Sequence, residues 1–146
     1  MHLTMTGEYA IRTVLHLSSL PPGAIAQISD ISRTWEIPET FLRKIVARLA
    51  RAGLVKSNRG VGGGVALARP ADQITLLHVI EEVEGPLSLN RCIGEPGFCT
   101  HQKSCNVHGL WCETQNVLRE ALSSRSFAEL ARTRKLPGVG VEAQSS

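Results

Sequence analysis

Four cysteines and one histidine give this chain its clearest capacity for chemistry. Their spacing is Cys92-x6-Cys99-x5-Cys105-x2-His108-x3-Cys112, which places all four thiols within 21 residues. Thiolates and imidazoles are the ligands of zinc and iron–sulfur sites. The spacings are wider than the Cys-x2-Cys knuckles of most structural zinc modules, and they favour a loop wrapped around a larger group such as a cluster. A structural zinc site and a metal-free thiol–disulfide switch are the alternatives.

A basic segment precedes the cysteines. Between Thr40 and Pro70 the chain has seven basic residues and no acidic one, so the other 9 basic residues share the remaining sequence with all 13 acidic residues. A positive segment on an otherwise acidic chain indicates a phosphate-binding surface, and a solvated helix face is the alternative. The seven are Arg43, Lys44, Arg48, Arg51, Lys56, Arg59 and Arg69.

Three predicted helices position the first part of this segment. Apolar spacing predicts helices from Thr6 to about Leu20, from Ile28 to about Thr34, and from about Glu39 to Ala52. The third has apolar residues at i, i+3, i+4 and i+7 and basic residues on its opposite face. Such a basic helix after a tight turn indicates a helix-turn-helix that enters the major groove of DNA. The predicted DNA-binding side chains on it are Thr40, Arg43, Lys44 and Arg48.

A hairpin with a glycine-rich tip follows the third helix. Strands are predicted at Leu54–Ser57 and Val65–Leu67, on either side of a segment that holds four glycines and Arg59. Glycine lets a backbone approach DNA closely, and Arg59 is predicted to enter a narrow minor groove. The segment lacks the Lys-Ser/Thr of a P-loop, which disfavours nucleotide binding. Helix, turn, helix and hairpin together predict a winged helix-turn-helix.

The remaining elements carry the cysteines. A helix is predicted from Ile74 to about Glu84, then an irregular cysteine-bearing loop from about Leu87 to Ser104, then a long helix from about Asn106 to Ser123. A last turn or two is predicted at Phe127–Arg132, ahead of a disordered tail. The start of the long helix would present Cys105, His108 and Cys112 on one face, although Cys112 alone is more typical of a core or dimer-face residue.

These motifs together resemble one family. They are Gly7-Glu8-Tyr9-Ala10, Leu49-x3-Gly53-Leu54-Val55, Arg59-Gly60-x-Gly62-Gly63-Gly64, and Arg91-Cys92 followed by Cys99, Cys105, His108 and Leu110-Trp111. The chain resembles, from about residue 3 to 130, the Rrf2 family of bacterial winged-helix regulators. The cysteine set combined with the glycine wing is highly specific, and either alone is much weaker.

The resemblance implies a cofactor and an assembly. It implies an iron–sulfur cluster on Cys92, Cys99 and Cys105, and a homodimer that pairs through the long helix and binds a palindromic operator in double-stranded DNA. In members similar to IscR the fourth ligand is a histidine at the place of His108, which favours 2Fe–2S. In members similar to NsrR the further ligand is a carboxylate of the partner's first helix, at the place of Glu8, so a 4Fe–4S cluster is the alternative.

Three features depart from the family pattern. The first cysteine spacing is one residue longer than in the best-known members, and Cys112 is additional. Arg43 and Lys44 stand where members similar to IscR carry an acid and an amide, so a different operator is expected.

The predicted fold is mainly α, a winged helix-turn-helix with a small β-hairpin wing and a long C-terminal dimerisation helix. The predicted function is a cluster-dependent transcriptional regulator, favoured as a repressor, that senses iron or cluster status, redox state or nitric oxide. A cluster-free thiol- or zinc-dependent repressor and an iron–sulfur electron-transfer or scaffold protein are the alternatives. The predicted divisions are residues 1–75 for DNA binding, 76–134 for the cluster loop and dimerisation helix, and 135–146 for the tail.

Two classes of protein are disfavoured. The sequence has no nucleophile–base arrangement, so an enzyme is not expected. It has neither an apolar run of about 18 residues nor a signal-peptide pattern, so a cytoplasmic protein without membrane contact is expected.

Overall fold

A computed structural model describes residues 2–58 and 63–133. The described residues are mainly helical with one two-stranded antiparallel hairpin, which confirms the predicted fold class. Arg59 and the predicted tail, residues 135–146, lie outside the described residues. The elements are α1 (Met5–Ser18), α2 (Ile28–Trp35), α3 (Glu39–Arg51), β1 (Val55–Asn58), β2 (Gly64–Leu67), a 3-10 helix (Ala71–Gln73), α4 (Leu76–Glu84), α5 (Arg91–Gly94), α6 (Asn106–Ser123) and α7 (Phe127–Thr133).

Helix α1 runs through the centre of the fold. Ala10, Thr13, Val14 and Leu17 lie on its buried stripe. The helix begins where the Thr4 hydroxyl accepts a hydrogen bond from the backbone N–H of Gly7 at 3.2 Å. Around this stripe α2, α3, α4, α7 and β2 pack into one apolar core, so the elements predicted to bind DNA share one packed base.

A tight turn joins α2 to α3. Glu36 ends α2 with φ of 55°, a left-handed conformation that costs a non-glycine residue about 1 kcal/mol. Ile37 is 1% exposed and anchors the turn in the core. Pro38 is the N-cap of α3. The four predicted apolar positions of α3 are all buried, namely Leu42, Ile45, Val46 and Leu49.

Several predicted boundaries differ from the structure by one or two residues. The helix expected from Ile74 begins at Leu76, because Thr75 caps it by accepting a hydrogen bond from the N–H of His78 at 3.3 Å. The cysteine-bearing loop, expected to be irregular, contains the one-turn helix α5. No helix among residues 2–58 and 63–133 is long and apolar enough to cross a membrane.

Candidate nucleic-acid interface and metal centre

The exposed face of α3 carries the predicted DNA-binding residues that the structure describes. Thr40, Arg43, Lys44 and Arg48 are exposed, and their spacing along the helix places them on the side opposite the buried stripe. Three long cations on one accessible helix face suit phosphate backbones and the acceptor edges of guanine. The predicted fifth residue, Arg59, has no described position.

Arg43 is not isolated on this face. Its guanidinium lies 3.6 Å from the carboxylate of Glu39, one turn earlier on α3, and both side chains are largely exposed. Glu39 stands in the first turn, where its charge favours the helix dipole. The carboxylate therefore stabilises the helix and partly neutralises a cation that faces solvent.

Aromatic and imidazole contacts hold α3 and its supporting helix against α1. The Tyr9 and Phe41 rings meet edge to face at 5.7 Å between α1 and α3. On α2, the indole N–H of Trp35 donates to Nδ1 of His16 at 3.2 Å. Because His16 is buried, its pKa is lowered, and the carboxylate of Asp30 opposes this in part. A neutral imidazole therefore accepts the hydrogen bond that joins α2 to α1.

The base of the hairpin is fixed to the segment before α2. Ala26 and Val65 exchange two backbone hydrogen bonds of 2.8 Å, which adds a third strand position beside β2. A side chain at Gly64 would collide with the carbonyl oxygen of Ala26, so glycine is required for this approach. Lys56 is exposed on β1, so the described part of the hairpin adds one cation near the basic helix.

The first cysteine lies on α5 and is held by local contacts. The Cys92 thiol donates to the side-chain oxygen of Asn90 at 3.0 Å. Arg91 makes two 3.1 Å hydrogen bonds to the Glu95 carboxylate and stacks on the Phe98 ring with 3.9 Å between guanidinium and centroid. This pairing lowers the pKa of Glu95 and braces the chain between the first two cysteines.

The remaining donors lie at the start of α6. Cys105 is the N-cap and is exposed, and it makes no side-chain capping hydrogen bond. Nε2 of His108 lies 3.2 Å from the Gln102 amide nitrogen and 3.5 Å from the Cys112 sulfur. Nδ1 of His108 is buried and has no hydrogen-bond partner among the described residues. An unsatisfied buried ring nitrogen is uncommon in folded proteins, and a bound water or ion is one way in which such an atom is satisfied.

The donor set suits an iron–sulfur group or zinc, but the donors are not assembled. None of the four cysteines, all of which lie in the described residues, is in a disulfide. Within residues 2–58 and 63–133 no three His, Cys, Asp or Glu side chains are grouped closely enough to hold a metal ion. Glu8 lies on α1 beside Arg12, with 3.8 Å between carboxylate and guanidinium. Among these donors, all within the described residues, the structure shows one contact, between the predicted ligand His108 and the additional Cys112.

Helix α6 packs against its own chain along its C-terminal half. Leu118 and Leu122 contact the small apolar cluster around Leu77 and Ile80 on α4. Apolar residues elsewhere on the surface of α6 are solvent-exposed by 41% to 66%, and they are Val107, Leu110, Trp111 and Val117. A stripe of this kind is typical of an interaction surface.

Three contacts at these sites escaped the sequence reasoning. Glu39 and Arg43 are four residues apart on one helix, and this spacing could have predicted their ion pair. Glu39 was overlooked because it lies one residue before the acid-free segment. The same spacing connects His108 with Cys112, which the sequence placed on one face without recognising contact. The approach of Gln102 to His108 has no periodic signal, because it depends on the path of the loop.

Comparison with known proteins agrees with this architecture. A family model named Rrf2 and described as "Iron-dependent Transcriptional regulator" matches residues 3–133. A protein of Azotobacter vinelandii assigned as an HTH-type transcriptional regulator is 35% identical over 89% of this chain and 79% of its own length. One of Haemophilus influenzae with the same assignment is 32% identical over 93% of this chain and 90% of its own.

Solved structures show the same fold. CymR, the global cysteine regulator of B. subtilis, superposes with a TM-score of 0.78 at 27% identity, over 92% of this chain and 99% of its own. IscR of T. potens superposes with a TM-score of 0.71 at 24% identity, over 100% and 93%. The curated relatives and the family model are all described as transcriptional regulators. From its exposed basic helix, its wing and these matches, the chain belongs to the Rrf2 family of transcriptional regulators.

Proposed function

We propose that this Rrf2 regulator is a homodimeric repressor that binds a palindromic operator, and that an iron–sulfur cluster on the cysteine segment controls the binding. The observation that carries the proposal is that one chain combines the exposed basic face of α3 with a thiol-bearing segment attached to α6. The first supplies DNA binding and the second supplies a sensor.

The proposed DNA contact uses α3 in the major groove. Arg43, Lys44 and Arg48 project from the face opposite the core, which is the orientation required of a recognition helix. Thr40 lies in the first turn, where side chains reach base edges or phosphates. Arg59 is proposed to contact the minor groove from the wing tip.

The proposed cluster ligands are the thiolates of Cys92, Cys99 and Cys105 with one further donor. His108 on α6 supports 2Fe–2S, because it follows Cys105 by one turn and one of its ring nitrogens is unsatisfied. Glu8 of the partner subunit is the alternative donor, with 4Fe–4S. A bound cluster would supply a group that is lost or altered by iron shortage, oxidants or nitric oxide. The chain would bring these donor side chains together when the cluster binds.

The proposed dimer uses the exposed apolar side chains of α6. Leu110 and Val117 are 61% and 66% exposed on the surface of this helix, and a second copy would cover them. A twofold dimer of winged domains matches an operator with two symmetric half-sites. Substitution Leu110→Glu is expected to give a monomer by light scattering with intact helicity and weak operator binding.

The proposed coupling passes through α6. The side-chain oxygen of Gln115 accepts a hydrogen bond from the N–H of Leu89 at 3.0 Å, just before α5. A rearrangement of the cysteine segment would therefore act on the dimer helix and shift the two recognition helices. A coupling of about 5- to 150-fold in DNA affinity is the typical scale for such linkage.

A second candidate is a cluster-free thiol regulator. All four cysteines are free, and the solved structures of similar fold include CymR of Staphylococcus aureus in an oxidized form. This candidate predicts that oxidation and reduction of thiols, without iron, change operator affinity.

The deciding experiment is anaerobic purification after expression with ample iron. The cluster proposal expects brown protein with iron and sulfide in stoichiometric amounts. Cys92→Ala should lose both, whereas the control His101→Ala, which changes a residue of the same loop that is not a proposed ligand, should retain them. Operator affinity by fluorescence anisotropy is expected to differ at least fivefold between cluster-loaded and cluster-free protein. Colourless protein whose affinity responds only to thiol oxidation supports the second candidate and contradicts the first.

A further inference from the structure

Cys112 stands outside the three-cysteine set, yet it contacts that set's proposed fourth ligand. Its sulfur lies 3.5 Å from Nε2 of His108, one helical turn earlier. Both side chains are half-buried on α6, a regular helix of 18 residues, so their relative position is fixed by the helix and not by the loop. An imidazole and a thiol at i and i+4 form a two-donor unit on one face.

The hydrogen bonding of His108 leaves its ring incompletely satisfied in either neutral tautomer. When Nε2 accepts from the Gln102 amide, the ring proton is on buried Nδ1, which has no acceptor. When Nε2 carries the proton and donates it to the Cys112 sulfur, Nδ1 is a buried lone pair without a donor. Hydrogen bonds within the protein therefore do not fix the His108 ring in one tautomer. The sulfur of Cys112, a second donor that can ligate iron, lies beside it.

We propose that the fourth ligand of the iron–sulfur group comes from the His108–Cys112 pair and not from His108 alone, so that the Cys112 thiolate serves when the imidazole is absent. This inference rests on the proposed function. Two adjacent donors, each of a type that ligates iron, share one face of the helix that begins at Cys105. Because a thiolate carries a negative charge and a neutral imidazole does not, the two forms differ in reduction potential, with the all-cysteine form lower.

The test compares wild type, His108→Ala, Cys112→Ala and the double variant, each reconstituted anaerobically with ferrous iron and sulfide. We expect both single variants to hold the cluster and the double variant to lose it at least tenfold faster in a chelator challenge. Cys112 is expected to be protected from alkylation by the cluster in His108→Ala. The cluster of His108→Ala is expected to have a lower reduction potential than that of Cys112→Ala.

The outcomes separate the two proposals. Retention of the cluster by the double variant as firmly as by His108→Ala, or free alkylation of Cys112 in cluster-loaded His108→Ala, overturns this inference alone. Loss of the cluster in His108→Ala to the level of the double variant does the same. A wild-type chain that takes up neither iron nor sulfide overturns the proposed function, and with it the inference. Circular dichroism of the metal-free variants establishes that each is folded.

Discussion

The guanidinium of Arg119 lies 2.7 Å from the carboxylate of Glu81, which joins the C-terminal half of α6 to α4. One turn earlier on α6, Gln115 holds the backbone of Leu89 just before α5. Neighbouring positions of one helix thus contact both α4 and the start of the cysteine segment. The proposed coupling expects a displacement of either one to act on the other through α6.

The Glu81–Arg119 pair is expected to contribute to this attachment. Its side chains are 27% and 39% exposed, so screening by solvent limits the pair to about 0.5 kcal/mol of unfolding free energy. A double-mutant cycle of Glu81→Gln and Arg119→Gln, measured by urea unfolding, should give a coupling of that size that shrinks in high salt. Arg125→Gln, for which no ion pair is found among the described residues, is the matched control, and an equal effect there would contradict the assignment.

Glu39 is expected to restrain the recognition helix. Glu39→Gln removes the charge that lies 3.6 Å from Arg43, so operator affinity should rise about two- to fivefold at low salt, by reduced repulsion of phosphate. Stability should fall by a few tenths of a kcal/mol through the lost helix-dipole interaction. Arg43→Ala should weaken binding and lower the salt slope by about one, while Arg125→Ala should not. Anisotropy titrations at several salt concentrations measure both, and unchanged binding in Arg43→Ala would refute the interface.

Gly64 and Gly109 are expected to respond in opposite directions to alanine. A methyl group at Gly64 would strike the Ala26 carbonyl and disrupt the paired hydrogen bonds to Val65, for a loss of about 1–3 kcal/mol. Gly109 is inside α6 with open space around its Cα, so alanine there should stabilise the helix by up to about 1 kcal/mol. Thermal unfolding measures both, and a Gly64→Ala variant as stable as wild type would show that the wing tolerates separation from Ala26.

Stability is expected to depend on the protonation of His16. Because burial lowers its pKa in the folded state, the unfolded chain binds more protons below the ordinary value of 6.5. The contribution is therefore complete above that pH and is lost as the pH falls toward the folded-state pKa. His16→Asn keeps an acceptor for the Trp35 N–H but does not titrate, so its unfolding free energy should vary less between pH 7.5 and 5. Parallel curves for the two proteins in urea unfolding would exclude His16 as the source.

The regular helices could be predicted closely from the sequence. The buried stripe of α3 and the bounds of α6, Asn106–Ser123, match the prediction. Both depend on the periodic spacing of apolar residues, which can be recognised within a few helical turns of sequence. The basic face of α3 followed from the same period. Local sequence patterns were thus sufficient for features that depend on a single helix.

Features that depend on distant contacts were missed. The pairing of Ala26 with Val65 joins residues far apart in sequence, and the contact between Gln102 and His108 depends on how the loop turns. The predicted ligands were also placed by spacing alone, and spacing does not determine whether Cys92 and Cys105 lie close together before a metal binds.

Helix α6 leaves a stripe of apolar side chains exposed on its own chain. In the proposed dimer, the covering of this stripe depends on mass action between copies and not on the folding of a single chain. A ligand held beside the stripe would thereby be linked to assembly, and its apparent affinity would rise with the amount of protein. A cell that makes more of this regulator would then also shift the threshold at which it responds.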